Sequence, residues 1–309
     1  MDLGGTKLLA GVVDADLRVH HRAFRPAPTS DVIDALEAIA RELMAASEAP
    51  VTAIGMGIPS LMDRARGVAM WTNHNDLADV SVADVLADRL DIPVTVDNDA
   101  NLAMLAEHTA GTARGASHAV MLTIGTGIGG AIVANGRLVR GAHGAAGELG
   151  HIVVDKDGPP CPGNCPNRGC LEAIASGAAL AVEGDHVAAT DRESALAREA
   201  AAGRPITGAL VTELAHDGDP GAIKAVARIG RNFGIGLASI ANALDPEVIV
   251  VGGGVIAAGE LLLGPARDEL ASRALPPIAE RVRVEASRFG AESGMLGAAI
   301  LARSGATDG

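Results

Sequence analysis

Two glycine-rich segments give the two halves of this chain a similar plan. Asp2-Leu-Gly-Gly-Thr-Lys7 leads into the apolar run Leu8–Val13 and an acidic turn at Asp14–Asp16. Thr123-Ile-Gly-Thr-Gly-Ile-Gly-Gly130 leads into Ala131–Ala134, the pair Asn135-Gly136 and then Arg137–Arg140. Asn-Gly between short apolar runs is a strong hairpin signal. Each segment therefore reads as a glycine loop joining two antiparallel strands. One such hairpin per half predicts two related domains facing a common cleft, and 309 residues are enough to give each a core.

Short β-rich runs alternate with Ala/Leu-rich helical runs, which predicts an α/β fold. The spacing predicts a helix over Asp31–Glu48 capped by Ser30, a strand over Val51–Ile58 stopped at Pro59, a helix over Val82–Leu90 and a strand over Pro93–Val96. A helix starting near Asn98 carries Leu102, Leu105 and Ala106 on one face. His118–Thr123 reads as a strand, and helices over Ala222–Leu244 and Val255–Arg273 flank the apolar strand Glu247–Val251.

Composition removes several function classes. Apolar residues make up 48% but aromatics only 1%, so the interior must be built from Ala, Val, Leu and Ile. Bases cannot be stacked on a platform of aromatic rings. A net charge of −13 opposes binding to phosphate backbones, which Lys and Arg must neutralise. No nucleic-acid partner is expected. No apolar run reaches the length of a membrane span and no signal peptide opens the sequence, so a cytoplasmic protein without a membrane partner is expected. The long Ala-rich helices are compatible with a homo-oligomer such as a dimer.

Gly125-Thr-Gly127-Ile-Gly129-Gly130 formally satisfies G-x-G-x-x-G. A dinucleotide loop must pass from a strand into a helix, whereas AIVANGRLV here is strand and turn. No Walker P-loop is present either. A glycine hairpin still presents successive N–H groups that can hold phosphate, with Thr6, Lys7 and Thr126 as added donors. Either loop alone reads as a plain tight turn, and two equivalent loops favour phosphate. Gly252-Gly-Gly254 leaves a strand for a helix, so either a ligand or packing explains its glycines.

Two polar clusters remain. Val96-Asp-Asn-Asp-Ala-Asn101 puts two carboxylates and two amides where a strand enters a helix; one of them suffices as a cap, and an Asp there can act as general base toward a hydroxyl. All three cysteines, Cys161, Cys165 and Cys170, lie within ten residues and follow His151, a spacing of H-x9-C-x3-C-x4-C. Three thiolates and one imidazole suit tetrahedral Zn²⁺ in a closed, structural site. Glu148 and Glu172 bracket the cluster, and the metal would hold them close together.

Taken in order, DLGGTK at 2–7, DNDAN at 97–101, TIGTGIGG at 123–130, GELGH at 147–151, the cysteine cluster through GCLE at 169–172 and LDPEVIVVGGG at 244–254 resemble the ROK family of bacterial sugar kinases and sugar-responsive repressors. The match runs through essentially the whole chain, and within the family it is most similar to the glucokinases. The resemblance implies the two-lobed, ribonuclease H-like fold of the actin-like ATPases, with a central interlobe cleft. A small lobe would comprise 1–107 plus 290–309. A large lobe at 108–289 would hold the zinc site and nucleotide-binding elements.

The resemblance also implies an ATP-dependent kinase that phosphorylates the 6-hydroxyl of a hexose, most similar to a glucose kinase of glycolysis. Asp99 would be the catalytic base. Asn98, Glu148, His151 and Glu172 would bind the sugar, and His151 with Cys161, Cys165 and Cys170 would hold zinc. Asp2, Gly4, Gly5, Thr6 and Lys7, with Thr126 and Gly127, would surround the phosphates and Mg²⁺ of ATP. Gly253 and Gly254 would lie against the adenosine. N-acetylmannosamine, N-acetylglucosamine and fructose are the alternative sugars. A sugar-responsive regulator is the alternative of another class, but the family's repressors carry a helix-turn-helix segment ahead of the phosphate loop.

Three features depart from the family pattern. Cys161-Pro-Gly-Asn-Cys165 replaces C-x-C and widens that turn. Ser60 stands where Gly is common, near the expected sugar pocket. The apolar strand that relatives carry before the first Asp is missing, so an upstream translation start is expected; a native N-terminus at Met1 by mass spectrometry would exclude it.

Overall fold

The structure, a computed structural model, describes residues 1–63, 68–72, 77 and 79–305. Its strands are β1 (Asp2–Leu3), β2 (Lys7–Val13), β3 (Val19–Pro26), β4 (Ile54–Ile58), β5 (Ser60–Asp63), β6 (Val68–Thr72), β7 (Val94–Asn98), β8 (Ala119–Ile124), β9 (Ile128–Ala134), β10 (Arg137–Val139), β11 (Val248–Gly252) and β12 (Arg283–Ala286). One five-stranded sheet has the order β3-β2-β1-β4-β7, another β10-β9-β8-β11-β12, and β5 pairs with β6. In the first, β1 runs antiparallel to β2 and parallel to β4, which is parallel to β7. In the second, β10 is antiparallel to β9, while β8, β11 and β12 are parallel. The strand order is the same in both: the three strands that open each sheet lie in reverse order, then two parallel strands follow. The repeat seen in the glycine loops extends to whole sheets.

The chain divides into two compact units. One comprises Met1–Gly115, Ala131–Gly147 and the segment from Arg288 on; the other comprises Ala116–Gly130 and Glu148–Ser287. In the first, Leu3, Leu8, Leu36, Met56, Ile58 and Leu86 form the core. In the second, Leu122, Val251, Leu237 and Leu262 pack around Phe233. β4 (IGMGI) and β11 (VIVVG) are buried at every position, as central parallel strands covered on both faces must be. Asn135 and Gly136 both have positive φ, 53° and 72°, which makes the predicted turn between β9 and β10.

Local details differ from the sequence reading. The first helix runs Val32–Ala46, and Asp31, left-handed at φ 54°, takes the N-cap place without a side-chain bond. Ser30 does not cap it, because its hydroxyl donates to the Asp31 carboxylate instead. The predicted single helix Val255–Arg273 is a 3₁₀ turn, Gly254–Ala258, then a helix, Glu260–Arg273. Gly259, at φ 57°, lies between them in a conformation that cannot continue a right-handed helix. Val82–Leu90 is a helix as predicted, and Pro220–Leu244 begins at Pro220 in the first turn, capped by Asp219.

β1 has two residues where its neighbours β2 and β4 have seven and five. A cavity of about 870 Å³ adjoins Met1, lined among others by Gly11, Val13, Met44, Ile54 and Met295. The Met1 ammonium donates to the Gly55 carbonyl at 2.8 Å, and burial lowers its pKa to about 6. Among the described residues no helix is long and apolar enough to cross a membrane.

Candidate active site

In the first unit the parallel strands bring two carboxylate-bearing strands together on either side of a glycine. Register places Asp2 of β1 beside Gly57 of β4, and Gly57 beside Asp97 of β7. A Cβ on Gly57 would sit 3.3 Å from both Asp2 Oδ1 and the Asp99 Cα, so glycine lets these residues approach one another. Asp2 also lies against Gly294, in the first turn of the helix Ser293–Ser304, an end whose exposed N–H groups favour an anion. Burial pushes the Asp2 carboxyl above the ordinary carboxylate range, and the Met1 ammonium and Lys7 oppose that shift. Gly4 N–H closes the loop onto the Lys7 carbonyl at 2.8 Å, and Ala27 N–H donates to the Thr6 carbonyl at 3.1 Å.

The polar residues at 97–101 divide their tasks. Asn98 is the N-cap of the helix Asp99–Ala110: its Oδ1 accepts from the N–H groups of Ala100 and Asn101. Its amide nitrogen reaches the Ser60 carbonyl at 3.3 Å, so any ligand it binds must be met by the amide's remaining N–H. Asp97 is buried and ion-paired to Arg140, Nη2 to Oδ2 at 2.9 Å, while its Oδ1 accepts from Asn98 N–H and Asn101 Nδ2. Asp99 begins the helix with Oδ1 on Ala100 N–H at 2.9 Å. The helix ends at a second buried carboxylate. Glu107 accepts from the N–H groups of Thr112, Arg288 and Phe289 and from the Ser293 hydroxyl, tying the two later segments to the helix.

In the second unit the loop at Gly125–Gly127 closes with Gly125 N–H on the Gly127 carbonyl at 2.9 Å. The helix Gly177–Thr190 directs its first N–H at the Gly125 carbonyl, 2.8 Å away. Gly253, at φ 86°, has no room for a side chain because one would collide with the Ile124 backbone. That packing accounts for Gly253, whereas a Cβ on Gly254 would meet nothing within 4 Å, leaving open the face expected to meet the adenosine.

His151, Cys161, Cys165 and Cys170 converge, with one ligand atom from each within 4.8 Å of all the others. His151 Nδ1 is 3.5 Å from Cys161 Sγ, and Cys165 Sγ is 3.9 Å from Cys170 Sγ. Sulfurs about 2.3 Å from a tetrahedral ion are separated by such distances, so the donor set fits Zn²⁺. The widened turn still delivers Cys161. Burial pushes the Cys161 and Cys170 thiols up, while the Asn167 N–H holds the Cys165 thiol below its ordinary value. On its other edge His151 presents Nε2 to Glu148 at 3.9 Å, close enough for charge interaction but longer than a hydrogen bond. Burial raises the Glu148 carboxyl, His151 opposes the shift and the charge of Glu172 adds to it.

A family model for ROK matches residues 1–304. The chain belongs to the ROK family. With the family comes the actin-like ATPase fold. A ROK glucokinase from Streptomyces griseus, solved with glucose and AMPPNP, matches with a TM-score of 0.90 and 34% identity over 98% of each chain. The glucokinase of Thermotoga maritima is 34% identical over 306 residues, 97% of this chain and 95% of its own. That of Halalkalibacterium halodurans is 36% identical over 258 residues, 83% and 78% of the respective chains.

In this ROK chain, sequence reasoning missed three connections. Arg140 lies 43 positions from Asp97 and carries no pattern that announces the ion pair. Glu107 reads as one more helix carboxylate, although its side chain is fully buried. Glu172 touches the glycine loop, with Oε2 accepting from Ile128 N–H at 2.7 Å. Only the glycine at 127, where a side chain would meet that carboxylate, hints at the third.

Proposed function

We propose that this chain is an ATP-dependent hexose 6-kinase acting on glucose. The observation that carries the reading is the meeting of Asp2 of β1 with Gly57 and Asp97–Asp99 at the carboxyl ends of the parallel strands β4 and β7, where open α/β sheets take their ligands. The likeness to a glucokinase solved with glucose and a nucleotide supports it.

Asp99 accepts the proton of the sugar 6-hydroxyl as that oxygen attacks the γ-phosphorus. The bond from O6 to phosphorus forms, the bond from phosphorus to the β,γ-bridging oxygen breaks, and ADP leaves. Such a transfer needs alignment and charge neutralisation more than covalent help. Asp2, Gly4, Gly5, Thr6, Lys7, Thr126 and Gly127 surround the phosphates, and Gly253 and Gly254 the adenosine. Mg²⁺, when bound with the nucleotide, supplies further neutralisation. Asn98, Glu148, His151 and Glu172 bind sugar hydroxyls, which both donate and accept. His151, Cys161, Cys165 and Cys170 would hold Zn²⁺, which would fix the segment that carries Glu148 and Glu172.

A coupled ADP-release assay over a panel of hexoses tests the reading. Glucose-dependent turnover is expected, reduced by about 10²- to 10⁴-fold in Asp99→Ala, the range for loss of a positioned base. Undiminished turnover in Asp99→Ala would reject Asp99 as base. Preference for an N-acetylated hexosamine or fructose would reject glucose.

A further inference from the structure

Glu172 has a second task, which rests on the kinase reading for its functional meaning. Its helix, Leu171–Ala175, has only five residues, too few to be stable on its own. Core packing of Leu171 and Ala175 and the bond from Asn232 Nδ2 to the Ile174 carbonyl hold its body, and the cysteine cluster anchors its N-terminal end. Cys170 is buried in the thiol cluster and bridges to Val153, and Leu171 N–H donates to the Ile152 carbonyl at 2.9 Å. From that anchored turn Glu172 reaches the glycine loop, where Oε2 accepts from Ile128 N–H at 2.7 Å. A carboxylate on an amide makes a charge-assisted bond, stronger than an ordinary backbone pair. The same oxygen fills the space a side chain on Gly127 would need, and Gly150 packs equally closely on the Ile128 carbonyl.

We infer that Glu172 is a positioning residue for the phosphate loop Gly125–Gly130, carrying the geometry of the cysteine cluster to the nucleotide side of the reaction. One carboxylate oxygen is committed to Ile128, so a sugar hydroxyl can engage only the other without competing with the loop. Glu172 thereby links sugar grip and nucleotide grip through one side chain.

The experiment compares wild-type protein with Glu172→Ala, Glu172→Gln and Gly127→Ala. It measures calorimetric binding of Mg·ADP and of glucose, and hydrogen exchange of peptides covering 125–130 and 2–7. Glu172→Ala is expected to weaken Mg·ADP about tenfold and to speed exchange in 125–130 at least as much, leaving 2–7 unchanged. Glu172→Gln keeps an acceptor for Ile128 N–H, so it should retain most loop protection and Mg·ADP affinity while losing glucose affinity. Gly127→Ala should reproduce the loop effect with Glu172 intact, and it carries the test if Glu172→Ala fails to fold. Loss of glucose affinity in Glu172→Ala with Mg·ADP affinity and loop exchange within twofold of wild type would overturn the inference. If wild-type protein binds no nucleotide, the kinase reading fails, whereas loop exchange still decides whether Glu172 holds the loop.

Discussion

The two glycine hairpins are alike in sequence and in their place in the sheet, yet they are supported differently. The first, between β1 and β2, is held by backbone bonds, Gly4 N–H on Lys7 and Ala27 N–H on Thr6. Among the described residues no side chain hydrogen-bonds to the backbone of residues 4–6. The second has a carboxylate near each end. Glu247 accepts from the N–H groups of Ser117 and His118, just before β8, and Glu172 accepts from Ile128 where β9 begins. Repetition of a motif therefore does not imply repetition of its stiffness. The first loop depends on its own turn, whereas the second takes its shape from distant residues.

Metal removal should separate the two loops most strongly. Structural zinc binding is worth about 10–16 kcal/mol in zinc-finger peptides, which sets a ceiling on what the cluster contributes here. Dialysis against a chelator, or Cys170→Ser, is expected to lower the melting temperature, to weaken glucose binding through His151, and to speed hydrogen exchange in 125–130 but not in 2–7. Equal loosening of both loops would mean that the cluster supports the whole fold rather than one hairpin.

Arg140→Ala probes the counterpart in the first unit, where side-chain bracing lies at the strand end rather than at the loop. It leaves buried Asp97 without its ion partner, a change that costs about 3–5 kcal/mol when the pair is fully buried. Arg140 keeps some solvent contact, so a loss toward the lower end is expected in chemical denaturation. Asp97→Asn in the same background should recover much of it. A destabilised but otherwise normal loop at 2–7 would show that the two kinds of bracing are independent.

How much of this was legible in sequence follows from the range of each interaction. The hairpins, the Asn135-Gly136 turn and the helix from Asp99 depend on neighbours within a few residues, and the His and Cys donors fall in one segment, 151–170, so local spacing exposes them. The strand order of each sheet was not legible, since local patterns do not say which distant strands lie side by side. Ser30 illustrates a local failure: Ser and Asp compete for one capping place, and their mutual hydrogen bond decided it. Gly259 illustrates another, since period alone does not register a positive φ that interrupts a helix. Asp97–Arg140 and Glu172–Ile128 span 43 and 44 positions and depend on how the strands pack, which no local pattern encodes. In the candidate site, residue types were readable, but the commitment of Asn98 Oδ1 to the helix cap and of Glu172 Oε2 to the glycine loop was not.

Thr6→Ala sharpens the contrast further. Among the described residues Thr6 supports its loop through its backbone, so folding stability should change by no more than about 0.5 kcal/mol, as for an ordinary surface substitution. The KM for ATP should nonetheless rise if the hydroxyl meets phosphate. A large loss of stability would show side-chain bracing in the first hairpin after all.

The smallest expected effect belongs to Glu247, at the entry to the second hairpin. The N–H groups of His118 and Ser117 hold its carboxyl below the ordinary value. A carboxyl with a depressed folded pKa adds stability above its unfolded pKa and loses it as pH falls toward the folded one. The group is largely exposed, so solvent screening keeps the contribution under about 1 kcal/mol. Denaturation midpoints of wild type and Glu247→Gln should therefore differ slightly at pH 7 and converge as pH falls below the ordinary Glu range. Exchange at Ser117 and His118 should quicken in the variant while 125–130 stays protected by Glu172. If 125–130 loosens as well, the two carboxylates act as one brace.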